Sequence, residues 1–237
     1  SDMMDYIKSD LVLFGTTVAL IFAFMLYIFF GNIWFVILPI SNAFLTTFVT
    51  AGFLGYMDWK ISVVSSNFIA LLLILTISLS VHVLVKINEL KTSREDYIKV
   101  LKEAFSQMFL PCFFAATTTA VAFLSLLLGD LKPVIEFGKM MAFGISIAFL
   151  FTFSFLPSAI AMIGYIKTKD YLSLHRVTSS LLSFSKNYST FINVLFTLIF
   201  IVFLYGASKL EVENRFIDYF AKDTEIHKGM LEIDLNL

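Results

Sequence analysis

No charged side chain occurs between Asp10 and Asp58. The uncharged run from Leu11 to Met57 is more than twice the roughly 20 apolar residues that carry an α-helix across a bilayer. Gly31-Asn32 interrupts it near the middle. In hydrocarbon every backbone N–H and C=O must be satisfied within the segment, so helices are the expected spanning form. The run therefore reads as two membrane-spanning helices, near residues 11–30 and 33–57, joined by a tight turn.

Four further apolar stretches follow. Residues 61–85 contain only His82 as an ionisable group, and residues 104–129, 140–166 and 187–208 are uncharged. A single such stretch fits a buried helix of a soluble protein, but six of spanning length do not. The composition agrees: 59% of the 237 residues are hydrophobic, 28 are Phe, and only 15% are charged. A net charge of −1 gives no basic field for nucleic acid, so no nucleic-acid partner is expected. The lone cysteine, Cys112, cannot form an intrachain disulfide. The chain starts at Ser1-Asp2 close to a span and reads as a piece of a longer polypeptide or a processed chain.

Loop charges predict orientation. Lys86, Lys91, Arg94, Lys99 and Lys102 follow the third span, and Lys167, Lys169, Arg176 and Lys186 follow the fifth. Both loops read as cytoplasmic. The short loops around Asp58-Trp59-Lys60 and Asp130-Leu131-Lys132-Pro133 read as extracytoplasmic, which places both chain ends outside.

The resulting fold class is all-α and transmembrane: a six-helix polytopic bundle with the start of an α+β extracytoplasmic domain. A lead-in occupies 1–10, five spans occupy 11–166 (the fifth over 138–166), a cytoplasmic linker 167–186, the sixth span 187–208, and the extracytoplasmic domain opens at 209–237. Leu231, Ile233, Leu235 and Leu237 alternate with polar residues there, the period of a half-buried strand. In the first cytoplasmic loop, Thr92 and Glu95 have capping-box spacing, so a helix is expected to start at the surface and run into the membrane, kinked at Pro111.

Catalytic constellations are missing. The three histidines, His82, His175 and His227, show no metal-ligand spacing, and no cysteine pair, GxSxG, P-loop or dinucleotide fingerprint occurs. No enzyme activity, cofactor or metal is expected. The informative residues are polar groups within spans. Asn67, Ser78 and His82 are separated by offsets of 11 and 4 and share one helix face. Thr117, Thr118 and Thr119 cannot all face one way. These six are candidates for lining a coupling or substrate path, against the alternative that they cross-link neighbouring helices. Gly52, Gly55, Gly138, Gly144 and Ser146 are small enough to let helices approach closely.

Three segments together resemble the resistance–nodulation–division (RND) superfamily of transporters, nearest its lipid and hydrophobe exporter branch. Leu75-Thr-Ile-Ser-Leu-Ser-Val-His82 with Lys86-Ile-Asn-Glu-Leu90 is similar to that family's fourth helix. Ala115 to Leu126 is similar to its Thr-rich fifth, and Pro133-Val-Ile-Glu-Phe-Gly138, Gly144 and Leu156-Pro157 to its sixth. The resemblance implies that the chain supplies helices two to seven of such a protein. It also implies ion-driven export of hydrophobic or lipid-like molecules across a bacterial inner membrane. Implied partners are membrane lipids, the substrate, the rest of the same polypeptide and, as an open alternative, a homo-oligomer. One departure stands out. Proton-driven members carry Asp four residues before the His, with Tyr after it and Gly two positions earlier, where this chain has Ser78, Leu79 and Thr76. Coupling by a group elsewhere in the polypeptide, coupling through His82, and a non-pumping lipid- or sterol-sensing module all remain open.

Overall fold

A computed structural model describes residues 2–59, 67–90, 97–164 and 174–210. Seven α-helices are present among them: α1 (Asp2–Phe30), α2 (Trp34–Tyr56), α3 (Phe68–Glu89), α4 (Tyr97–Ser125), α5 (Lys132–Ile163), α6 (Leu174–Asn187) and α7 (Ser189–Ala207). A 3₁₀ turn, Leu126–Leu128, follows α4. Six of the helices are long and apolar enough to span a membrane, all but α6. The protein is all-α over the described residues, with six spans. The expected capping box at Thr92–Glu95 and the alternating strand at 231–237 lie outside the described residues.

The turn between α1 and α2 follows from its two residues. Gly31 takes φ 59°, a left-handed conformation open to glycine, and its N–H closes α1 on the Tyr27 carbonyl at 2.9 Å. Asn32 then turns its Oδ1 onto the Trp34 N–H at 2.9 Å, satisfying one of the orphan donors that begin α2. Phe30 and Phe35 seal the turn, with ring centroids 4.8 Å apart. At the other end of α2, Asp58 holds φ 53°, which Asp tolerates better than most residues.

Two units pack separately, residues 1–172 and 173–237. In the first, α2 and α3 are the enclosed helices: 50% and 56% of the most apolar 18 residues of each are buried, against 11% in the matching stretches of α1 and α4. Helix α5 packs on α2, α3 and α4, while α1 lies against α2 and α3. Gly138 sets the closest approach. A Cβ there would sit 2.5 Å from the Phe123 carbonyl oxygen, so this point of α5 meets the end of α4 backbone to backbone with no room between. Gly144, two turns on, meets the Leu72 methyls of α3.

Helix α4 is continuous from Tyr97 through Pro111 to Ser125, so a single helix joins the charged residues Lys99, Lys102 and Glu103 to the uncharged stretch beyond them. Helix α5 begins earlier than its uncharged core, at Lys132, with Pro133 in the first turn, where its missing N–H removes no helical bond. In the second unit, the segment read as a linker is helical from Leu174. Only Tyr188 separates α6 from α7, and the Ile192 N–H bonds back to the Tyr188 carbonyl at 2.8 Å.

Candidate functional site

Polar residues that are fully enclosed cluster at the junction of α2, α3 and α5. Asn42, Thr46, Thr50, Thr76, Ser80 and Thr152 have no exposed surface, and Thr47 is 8% exposed. Asn42 is the hub. Its Nδ2 donates to Ser80 Oγ of α3 at 2.9 Å and to Thr152 Oγ1 of α5 at 3.0 Å. The network fixes the amide orientation. Ser80 spends its own proton on the Thr76 carbonyl at 2.9 Å, so it can only accept from Asn42. Thr76 in turn donates to the Leu72 carbonyl at 2.7 Å.

The other half of the cluster is different. Asn42, Thr46 and Thr50 recur at i, i+4 and i+8, one stripe of α2 about 12 Å long. Asn42 Oδ1 and the hydroxyl oxygens of Thr46, Thr47 and Thr50 are buried without a hydrogen-bond partner among the described residues. An unsatisfied buried polar atom costs about 1–3 kcal/mol, and four on one helix, three of them in a single stripe, are hard to account for as packing alone. Chemically they are neutral oxygens able to accept a hydrogen bond or to coordinate a small cation. No group of three His, Cys, Asp or Glu residues that could hold a metal occurs among the described residues.

The six candidates drawn from the sequence lie elsewhere. Ser78 and His82 share the exposed face of α3, and Asn67 is exposed at its start. Thr117 and Thr118 are exposed on α4, and Thr119 is half-buried. Thr118 and Thr119 donate to carbonyls of their own helix, Phe114 at 2.8 Å and Ala115 at 2.7 Å, so they need no neighbour. None of the six joins the buried cluster. Its members on α3, Thr76 and Ser80, flank Ser78 on the opposite side of the helix. The spacing of Asn42, Thr46 and Thr50 is the signal that would have located it.

Membrane protein MJ1562 of Methanocaldococcus jannaschii is 26% identical over 161 residues, covering 68% of this chain and 42% of the relative. The chain thus spans less than half the length of that protein. Residues 1–178, which include all five helices of the first unit, match the MMPL family. The chain belongs to the MMPL family, within the RND superfamily of membrane proteins.

Proposed function

We propose that the chain forms part of the membrane domain of a secondary transporter that exports hydrophobic or lipid-like molecules under an ion gradient, in a cytoplasmic membrane with both described ends outside. One observation carries this reading: the file of unpaired oxygens on α2, bridged by Asn42 to α3 and α5 inside an otherwise apolar bundle. Polar groups in a membrane interior are costly and are kept where helices exchange partners or ions. Secondary transporters hold substrates and coupling ions near the midplane, and the stripe lies midway along α2. A shift of α2 against α3 and α5 would trade the Asn42 bonds for bonds to water or to an ion, with no charged side chain of the cluster involved. The exposed Ser78–His82 face would be covered by the remainder of the polypeptide, since polar side chains facing lipid are unfavourable. His82, Ser78 and Asn67 would then line that second contact.

A second reading, a non-pumping lipid- or sterol-sensing module of the same fold, is favoured by a specific feature. The buried cluster contains no carboxylate, and Ser78 occupies the position of the Asp that the resemblance leads one to expect. The test is an imposed sodium or proton gradient across liposomes holding the full-length protein, with movement of a fluorescent amphiphile followed over time. Gradient-dependent export that disappears in Asn42→Leu supports the transporter. Saturable amphiphile binding with no gradient-dependent movement establishes the sensing module.

A further inference from the structure

A hydroxyl in an apolar helix commonly satisfies itself on the carbonyl three or four residues back. Ser41 of α2 does so on Leu38 at 2.9 Å, and Thr76 and Ser80 of α3 and Ser146 of α5 do the same. Thr46, Thr47 and Thr50 do not, although they share a helix with Ser41. Their oxygens turn away from their own backbone and find no partner among the described residues.

The three helices meet at matched levels. At one level Asn42, Ser80 and Thr152 are joined by hydrogen bonds. At another, Thr50, Leu72 and Gly144 come together: a Cβ on Gly144 would lie 3.5 Å from the Thr50 methyl and 3.0 Å from a Leu72 methyl. Both levels are two helical turns apart on all three helices, so Thr46, Thr76 and Ala148 share the level between them. All three are fully buried, and the Thr76 hydroxyl is committed to the Leu72 carbonyl. The level around Thr46 is thus built of small side chains, with one hydroxyl oxygen left over.

The chemistry of this oxygen set is narrow. It consists of an amide oxygen and hydroxyls, and no Asp, Glu, His, Lys or Arg is buried among the described residues. Divalent cations of the calcium and magnesium kind take carboxylates, and transition metals take imidazole or thiolate. Neutral protein oxygens are what membrane proteins use to replace the water shell of a monovalent cation. Residues at i and i+4 have Cβ atoms about 5–6 Å apart, so one such ion lies between oxygens of successive turns.

We propose that the α2 stripe binds an alkali cation of the sodium class, held by Asn42 Oδ1 and the hydroxyl oxygens of Thr46 and Thr50. The inference rests on the transport reading of this same stripe and names its ion. The Asn42 amide, fixed by Ser80 and Thr152, leaves its oxygen free for the cation, while Thr46 and Thr50 supply the next two turns. With no carboxylate to neutralise, the site takes a single positive charge and disfavours two.

The test is equilibrium binding of radioactive sodium to the full-length protein in nanodiscs, with no gradient and with choline chloride holding ionic strength constant. Saturable binding is expected, displaced by unlabelled sodium and not by calcium. Thr46→Val and Thr50→Val keep the side-chain shape and remove the oxygen, and each should weaken binding about tenfold, the loss of one contact. Because those hydroxyls are unpaired, both variants should unfold no earlier than the parent in sodium-free buffer, which separates lost binding from lost folding. Ser41→Ala, whose hydroxyl is already spent on its own helix, should bind as the parent does. Absence of saturable sodium binding, which would leave water alone on these oxygens, overturns the proposal. So does displacement by calcium more readily than by sodium, or unchanged binding in both valine variants. Proton-driven transport without sodium binding overturns the cation site and leaves the transporter standing; sodium binding without gradient-driven transport does the reverse.

Discussion

Asn42 separates two roles that a buried polar side chain can have in a membrane. If it only ties helices together, replacing it by the similarly sized Leu removes two hydrogen bonds and costs about 0.5–2 kcal/mol. The change also abolishes the orphaned Oδ1, which offsets part of that loss. Asn42→Leu is therefore expected to unfold in a denaturant titration within about 2 kcal/mol of the parent, yet to lose gradient-driven transport. His82→Ala, on the exposed face of α3, should reduce transport less than Asn42→Leu does; the reverse order would move the working group out of the α2 stripe. The two close-packed glycines make a sharper pair. At Gly138 an added methyl meets the Phe123 backbone carbonyl at 2.5 Å and Leu126 Cβ at 3.0 Å, neither of which can step aside. At Gly144 it meets the Leu72 methyls at 3.0 Å and 3.1 Å, the far end of a side chain that can turn. Gly138→Ala should destabilise by about 1–3 kcal/mol. Gly144→Ala should fall near neutral, because the gain of about 1 kcal/mol in helix propensity offsets the crowding. Equal values in thermal unfolding would contradict this packing. The buried polar residues were legible in the chain only by their spacing. Thr76, Ser78, Ser80 and His82 all lie on an apolar helix, where hydrophobicity is high all round and carries no phase. The sequence can therefore place Ser78 with His82 and Thr76 with Ser80, but not say which pair faces inward.

At the scale of elements, three helices carry an internal proline: Pro39 in α2, Pro111 in α4 and Pro157 in α5. Each lacks the N–H that would reach the carbonyl four residues earlier, which for Pro157 is that of Phe153. Membrane helices tolerate such breaks where neighbours or local side chains re-satisfy the backbone. Pro157→Ala restores the bond and should raise stability by up to about 3 kcal/mol. If the break lets the end of α5 move, the same variant should transport more slowly; faster transport together with higher stability would make the break an ornament of the sequence. Helix existence was plain from the uncharged runs because length against bilayer thickness is a strong constraint. Helix ends were less so. α5 starts at Lys132 rather than near Gly138, since Pro133 is favourable in a first turn and the charges of Glu136 and Lys139 can reach water from a helix end. The helix Leu174–Asn187 lies in a segment whose charge had marked it only as a loop.

For the whole molecule the open question is which way it threads the membrane, and here the lone cysteine is useful. Cys112 is 2% exposed, so it should stay silent to a membrane-impermeant maleimide and leave a clean background for introduced thiols. The lysines and arginine of the cation-rich loop after α3 predict a cytoplasmic location for it, and their scarcity around Asp130 predicts an outside location for that turn. In intact cells Asp130→Cys should react at once, whereas Lys99→Cys should react only after permeabilisation. The opposite pattern would invert the topology. The direction of any transport is tied to the same measurement.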